Sequence, residues 1–180
     1  MLQLVVPGRE MYDEEKEEFF TTKETILRLE HSLVSISKWE ARWRIPFLSK
    51  DAKTAQQAMD YVRCMTLNQN VNPQVYHALT SEHYRTINEY IDAELTATWI
   101  TRHEPKKPNM QIVTSELIYY WMVAFQIPME CQKWHLSRLM KLIEICEVKN
   151  QPPKKMSKAA IMSRNASLNA ARRKALNTKG

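Results

Sequence analysis

The sequence predicts a mainly α protein of the α+β class, in which a helical domain carries an N-terminal β-hairpin and a basic C-terminal helical arm. Between Ser32 and Val148, apolar residues recur at spacings of three and four, as in helices that bury one face. Two segments before Ser32 have the features of strands, and lysine and arginine are concentrated near the C-terminus. We expect a single globular domain over residues 1–150 and a basic arm over residues 151–180.

The predicted hairpin occupies residues 1–31 and precedes the helical core at residues 32–150. Its first strand, Leu2–Val6, is apolar and β-branched, and it ends at Pro7-Gly8, before an acidic stretch. The second strand runs from Phe19 to Glu30, and apolar and charged side chains alternate in its C-terminal half. Because two strands alone are marginally stable, one face of the hairpin is expected to pack on the helices.

The helical core is predicted to begin with two short amphipathic helices. Ser32 is a suitable N-cap for the first helix, and Pro46 ends it. Thr54 and Gln57 have the spacing of a capping box at the start of the second. The expected buried faces consist of Ile36, Trp39, Trp43 and Phe47 for the first helix and Ala55, Met59, Val62 and Met65 for the second.

Three weaker signals follow. Asn72-Pro73 has the form of an N-cap with proline at the first helical position. The spacing of Tyr84, Ile87 and Ile91 predicts another short helix. Residues 96–101 are a candidate strand.

The centre of the fold is predicted between Thr114 and Val148. A helix capped by Thr114 or Ser115 is apolar on nearly every side over residues 117–125, which indicates a buried helix. Pro128 is expected to start the next helix after a very short link, so that the two form an αα-hairpin. The amphipathic face of this second helix would consist of Trp134, Leu139, Ile143 and Cys146.

The composition excludes several classes of function. Only two glycines are present, Gly8 and Gly180, so the chain has neither a P-loop nor a dinucleotide-binding glycine loop. The three cysteines form no close pair, which favours a reducing cytoplasm over a secreted disulfide framework. The N-terminus has no signal-peptide pattern, and the longest apolar run, nine residues, is too short to span a bilayer. We therefore expect a cytoplasmic protein without a membrane segment.

No catalytic constellation or cofactor motif is found in the sequence. Cys131 and His135 are spaced i, i+4, which suits two metal ligands on one helical face, but two ligands do not make a zinc site. Cys131 is better explained as a small core residue. The glutamates at positions 14–18 lack the spacing of a calcium loop, so a solvated loop is favoured. The expectation is a non-enzymatic protein without metal or cofactor.

The charge is divided between two regions. Residues 149–180 contain nine Lys or Arg and no Asp or Glu, whereas the rest carries 17 basic and all 20 acidic residues, a formal charge of −3. Ser157 can cap a final helix through Leu176, which would be marginal alone and is expected to order on the body or on a partner. Three roles stay open for this arm: docking on an acidic protein surface, binding nucleic acid, or solvation alone. The candidate docking residues are Lys154, Lys155, Lys158, Arg164, Arg172, Arg173, Lys174 and Lys179.

Several segments together resemble a known family. They are Thr22–Leu48 (TKETILRLEHSLVSISKWEARWRIPFL), Tyr61–Leu67 (YVRCMTL), Glu116–Met122 (ELIYYWM), Ile127–Lys158 (IPMECQKWHLSRLMKLIEICEVKNQPPKKMSK) and the ending RNASLNAARRKALNTKG. The resemblance extends over most of the chain, from residue 22 to residue 180. This set is similar to small proteins encoded in the tail-gene region of long-tailed bacteriophages, which are regarded as tail assembly chaperones.

The resemblance implies a function in virion morphogenesis through protein binding. Tail assembly chaperones bind the tape-measure protein, keep its long helices soluble, and help to recruit tail-tube subunits in the host cytoplasm. Many are mostly helical, and the family has no metal or cofactor. The expected partners are therefore tape-measure and tail-tube proteins, with self-association and nucleic-acid binding through the arm as open alternatives. A structural subunit retained in the virion, such as a connector or tail-associated protein, is the closest rival.

A chaperone for amphipathic helices needs an exposed apolar groove. Six aromatic residues are candidates to line such a groove, although each could instead belong to the core. These residues are Trp39, Trp43, Phe47, Tyr119, Trp121 and Trp134.

Overall fold

A computed structural model describes residues 1–13, 18–100, 112–150 and 157–178. Two compact units are distinguished, Met1–Glu147 and Val148–Gly180. Most of the described residues that form regular structure are helical, and the strands lie at the N-terminus, so the predicted fold class is confirmed. Within the described residues, no helix is long and apolar enough to cross a membrane.

The N-terminal strands form an antiparallel hairpin in two paired sections. Strand β1 (Leu2–Val6) pairs with β4 (Thr25–Leu29), and β2 (Glu10–Asp13) pairs with β3 (Glu18–Thr21). The strand predicted to run continuously from Phe19 to Glu30 is therefore two strands. The interruption falls opposite the only internal glycine of the chain.

The backbones come unusually close at this interruption. A Cβ at Gly8 would lie 2.6 Å from the carbonyl oxygen of Thr22, so a larger residue would force the strands apart. The N–H of Thr22 donates to the carbonyl oxygen of Arg9 at 2.8 Å, and the N–H of Arg9 donates to the Thr22 hydroxyl oxygen at 3.0 Å. Because a side chain replaces a backbone acceptor here, the regular ladder breaks and then resumes.

One face of the β1–β4 pair is buried, as predicted. Leu4 and Val6 of β1 and Leu27 and Leu29 of β4 belong to the same core cluster as the helices. The other edge of β4 is extended by the segment that follows the second helix, because the N–H of Leu67 donates to the carbonyl oxygen of Arg28 at 2.8 Å. The hairpin is thus fixed to the helical core through both its side chains and its backbone.

The first two helices begin where their caps were predicted. Helix α1 (Leu33–Trp43) follows Ser32, and helix α2 (Ala55–Met65) follows Thr54; both caps are reciprocal capping boxes. The C-cap of α1, Arg44, is left-handed with φ of 54°, a conformation that glycine more often adopts.

The predicted buried face of α2 is wrong at its N-terminal half. Val62 and Met65 are buried as expected, but Ala55 is exposed and Met59 is only half-buried. Asp60 and Tyr61 are buried instead. Asp60 is buried because it pairs with Arg42 of α1 and accepts the indole N–H of Trp43 at 2.9 Å. This pairing places the side of α2 that carries Asp60 against α1.

The middle of the chain is mostly helical. A 3-10 helix, Pro73–Ala78, follows the Asn72 cap, and α3 (Ser81–Ile91) confirms the predicted short helix. Residues 96–100 form no strand, contrary to the strand considered for this segment. Residue 101 lies outside the described residues.

Helix α4 (Ser115–Ala124) is capped by Thr114, but it is not buried on all sides. Ile118 and Met122 are fully buried, whereas Tyr120 and Val123 are 66% and 63% exposed. Packing against α1 covers one face of this apolar helix, and the described residues leave the opposite face open. The prediction from its all-round apolar sequence is therefore wrong.

The helix predicted from Pro128 is also two elements, a 3-10 helix (Met129–Lys133) and α5 (Leu136–Asn150). The break occurs because His135 forms a β-bridge with Ser32 and the N–H of Leu136 donates to the carbonyl oxygen of His31 at 2.8 Å. Cys131 and His135 consequently do not share a helical face. Among the described residues, no group of three or more His, Cys, Asp or Glu is arranged to hold a metal.

The second unit contains helix α6 (Lys158–Leu176), which begins after Ser157 and ends where predicted. Each of its side chains that the structure describes is exposed, including those of Met162 and Leu168.

Aromatic and imidazole rings form a continuous cluster in the core. The ring of Phe47 lies 5.2 Å from that of Trp39 and 4.0 Å from that of Tyr61, centroid to centroid. The series continues to His31, 5.9 Å from Tyr61, and to His135, 5.2 Å from His31. This cluster joins α1, α2 and the start of α5 into one core.

Candidate protein-binding groove

An open groove with a largely apolar lining lies in the first unit, between α5 and the irregular segment at residues 95–98. Its volume is about 440 Å³. We call it the α5 groove. Its apolar lining consists of Leu95, Ala97, Trp134, Leu142 and Ile145, and its polar lining of Thr96, Thr98, Arg138 and Lys141.

The groove exists because the apolar arc of α5 is wider than the core can cover. Leu136, Leu139 and Ile143 are buried in the core, whereas Leu142 and Ile145 are only half-buried and face the groove. The opposite wall is attached to α5, since the N–H of Leu95 donates to the Ser137 hydroxyl oxygen at 3.2 Å. An amphipathic helix whose apolar residues are only partly covered by the core is typical of a partner-binding surface.

The rim of the groove is basic. The Arg138 guanidinium lies 5.0 Å from the ring centroid of Trp134, within the range of a cation–π contact. The Lys141 ammonium is 2.9 Å from a carboxylate oxygen of Glu144. Arg138 forms no ion pair within the described part of the chain, so one positive charge at the rim is available to an acidic partner.

Trp134 is positioned by its neighbour His135, which is held in the core. A ring nitrogen of His135 lies 2.8 Å from the Ser137 hydroxyl oxygen, and the other lies 3.0 Å from the carbonyl oxygen of Tyr90. Burial lowers the pKa of His135, so the neutral ring is favoured at neutral pH. The neutral imidazole can donate to one partner and accept from the other, which keeps this turn in one conformation.

The six predicted aromatic residues do not form one surface. Trp39 and Phe47 are buried in the ring cluster, and Trp43 is half-buried with its indole N–H bonded to Asp60. Tyr119 is half-buried and donates its hydroxyl to the Gln132 side-chain oxygen at 2.9 Å, and Trp121 is also half-buried. Of the six, Trp134 alone lines the α5 groove, at 38% exposure.

The predicted docking residues of the arm fall into two groups. Lys158, Arg164, Arg172, Arg173 and Lys174 lie on α6 and are exposed. Lys154, Lys155 and Lys179 lie outside the described residues. The helix thus carries five basic and no acidic side chains along its 19 residues.

Of the groove residues, only Trp134 was predicted; those that were missed include Leu95, Leu142, Ile145 and Arg138. A signal for two of them was present, because α5 contains more apolar positions than a single buried stripe requires. Leu95 had no comparable signal, since it lies in a segment without regular periodicity. The exposure of Tyr120 and Val123 on α4 could not be predicted, because the whole helix is apolar in sequence.

No protein-family model matches the chain, and no curated protein or solved structure matches it significantly.

Proposed function

We propose that this chain is a bacteriophage tail assembly chaperone that binds an amphipathic helix of the tape-measure protein in the α5 groove. The proposal combines the family resemblance of the sequence with one structural observation. That observation is an open groove with Trp134, Leu142 and Ile145 on its lining and a basic rim. In this role the protein acts by binding and catalyses no reaction.

The lining of the groove suits a helical client. Apolar residues of a bound helix at positions i, i+3 or i+4 and i+7 would contact the apolar lining. An acidic residue on the flank of that helix would approach Arg138 at the rim. A client helix bound in this groove could not associate with other copies of itself. A long tape-measure protein would need this protection to stay soluble before assembly.

The first experiment is co-expression with tape-measure fragments, followed by affinity purification of the complex. We expect the wild-type chain to keep a fragment soluble and to co-purify with it. Trp134→Ala should weaken this complex by at least about tenfold, because a tryptophan anchor in a groove carries a large share of the binding energy. Failure of the wild-type chain to hold any tail protein would overturn the proposal.

Tyr120→Ala is the matched control, since it removes an exposed aromatic ring from α4 and leaves the α5 groove intact. We expect this variant to bind like the wild type. Loss of binding in Tyr120→Ala with full binding in Trp134→Ala would move the client to the open face of α4. The chaperone proposal would survive that result, but the assignment of the groove would not.

Mass spectrometry of purified virions beside infected-cell lysate separates the chaperone from a structural subunit. A chaperone should be abundant in the lysate and missing from mature particles. Stoichiometric copies in the particle would support a connector or tail-associated protein.

A second candidate function, nucleic-acid binding, is favoured by the five exposed basic residues of α6. Such binding should fall steeply as the salt concentration rises from about 50 to 200 mM, because each phosphate contact releases counterions. It should also disappear when residues 151–180 are deleted. Binding that survives the deletion would exclude the arm as the nucleic-acid surface.

A further inference from the structure

A second concave site, separate from the α5 groove, lies where α1 and α2 meet the turn after α2. It has a volume of about 320 Å³ and shares no lining residue with the groove. Three cationic side chains line it: Lys38 and Arg42 from α1, and Arg63 from α2. We call it the α1–α2 pocket.

The positive charge of this pocket is not balanced. Its one carboxylate, Asp60, is buried and already pairs with Arg42 and accepts the indole N–H of Trp43. Lys38 and Arg63 form no ion pair with any described residue. Two charges therefore remain on a concave surface, where they reinforce each other's attraction for an anion.

The thiol of Cys64, which also lines the pocket, does not cancel this charge. Burial raises the pKa of Cys64 to about 11, with a further contribution from Asp60 that the three surrounding cations oppose. The thiol is therefore neutral at pH 7 and is not a reactive thiolate.

The remaining lining restricts the size and kind of ligand. The Asn68 amide is used by β4, because it donates to the carbonyl oxygen of Ile26 at 3.0 Å and accepts the N–H of Arg28 at 2.7 Å. Tyr76 is buried and lies beneath the Arg63 guanidinium, 5.7 Å from ring centroid to guanidinium carbon, so its ring is not open for stacking a base. Recognition would depend on charge and on the guanidinium donors, as for a single phosphate group.

We propose that the α1–α2 pocket binds a phosphate-type dianion through Lys38 and Arg63, with Arg42 as the cation shared with Asp60. The ligand is either free phosphate or the phosphoryl group of a small phosphomonoester. The site is independent of the chaperone proposal, because it uses other residues and needs no tail protein.

The test is an NMR titration of the full chain at constant ionic strength and pH 7.5, with chloride replaced by inorganic phosphate. The indole N–H of Trp43 is the reporter, since it contacts Asp60 at the edge of the pocket. We expect saturable shifts of this signal and of the backbone amides of Arg63 and Cys64. Glycerol 3-phosphate in a parallel titration distinguishes a monoester from free phosphate by its relative affinity.

Arg63→Gln and Lys38→Gln are the test variants, because both residues are exposed and neither forms an ion pair with a described residue. Each should weaken phosphate binding by at least about tenfold, as expected for loss of a charge-assisted contact. Arg85→Gln is the control, because Arg85 is an exposed arginine on α3 that pairs with Glu82. It should leave the affinity unchanged.

Shifts that stay linear with phosphate concentration, or that are the same in Arg63→Gln and the wild type, would overturn the site. Acetate provides the final comparison. Equal affinity for acetate and phosphate would overturn the assignment to a dianion, whereas at least about tenfold weaker binding of acetate would support it.

Discussion

The two units of the chain, Met1–Glu147 and Val148–Gly180, are stabilised by different physical effects. The first unit has a continuous core in which Leu33, Ile36 and Trp39 are almost completely buried. In the second unit, α6 buries none of its described side chains. The first unit is therefore maintained by tertiary packing, and the helix of the second depends on local sequence preference.

Helices α1 and α6 illustrate the difference. Helix α1 has 11 residues, a reciprocal capping box and a buried face, so its neighbours stabilise it at every turn. Helix α6 is longer, with 19 residues, and consists largely of alanine, basic and other polar residues. Alanine, lysine and arginine favour a helix, whereas serine and asparagine do so less, and most helical stability in proteins comes from packing that α6 does not show. We therefore expect α6 to become more stable when its exposed surface is covered by a partner.

The largest expected effect comes from truncating a large buried side chain in the core of the first unit. Trp39→Ala removes a ring that contacts Phe47 and an indole N–H that donates to the carbonyl oxygen of Gln57 at 2.9 Å. We expect the free energy of unfolding to fall by about 3–5 kcal/mol. Urea denaturation, followed by the fluorescence of the other tryptophans, measures this loss.

Leu168→Ala on α6 is the matched truncation in the second unit. Because Leu168 is exposed, the same measurement should change by less than about 0.5 kcal/mol. Comparable losses in the two variants would contradict the distinction between the units.

The next effect concerns Glu40, a buried carboxylate that connects distant segments. Its two oxygens accept the N–H of Phe47 at 2.7 Å and the N–H of Ser115, at the start of α4, at 2.8 Å. Glu40→Ala leaves both donors unsatisfied and should cost about 2–4 kcal/mol. Glu40→Gln keeps one acceptor and should cost roughly half as much, measured by urea denaturation. An equal loss in both variants would mean that packing, and not hydrogen bonding, is what Glu40 provides.

A graded effect is the response to acid. Burial, with the charge of the neighbouring His135 second, lowers the pKa of His31 from 6.5 to about 3. Below pH 6.5 His31 binds a proton in the unfolded chain but stays neutral in the folded chain. The free energy of unfolding therefore falls as the pH falls. The contribution of His31 to the free energy of unfolding should be fully present above pH 6.5. It should decline toward pH 3, by roughly 1 kcal/mol per pH unit.

The variants His31→Gln and His77→Gln test the cause of this decline. His31→Gln should reduce the slope of unfolding free energy against pH between 4 and 6, while His77→Gln, which changes an exposed histidine, should leave it unaltered. The arm contains no Asp, Glu or His, so the ellipticity that α6 contributes should not vary over this range. A wild-type slope in His31→Gln would assign the acid response to other groups.

Local features of the fold were predictable from the sequence because they depend on near neighbours. The caps at Ser32, Thr54 and Thr114 follow from side chains that accept a backbone N–H three residues away. The burial of Glu40 was not predictable, because its acceptor role depends on Ser115, 75 residues further along the chain. The break before α5 likewise depends on Ser32, which pairs with His135 through a bridge that no local pattern marks.

The candidate site was predictable only in part. Trp134 was among the predicted binding residues and does line the groove, but Leu95, which lines it from the opposite wall, comes from an irregular segment. The aromatic pattern of α1 predicted one buried face and could not distinguish that face from a binding surface, since both require apolar residues at helical spacing. Which apolar face stays open depends on what packs against it, as the open face of α4 illustrates.

The smallest expected effect is that of removing the arm. Deletion of residues 151–180 retains all of α5 and removes α6, whose described side chains are exposed. The midpoint of thermal unfolding of the remainder should change by less than about 2 °C, because none of the described side chains that the deletion removes is buried. A decrease of about 5 °C or more would mean that the arm stabilises the first unit in solution, and the basic residues would then serve an intramolecular contact. An unchanged midpoint, together with weaker binding of an acidic or nucleic-acid partner, would instead assign the arm to that partner.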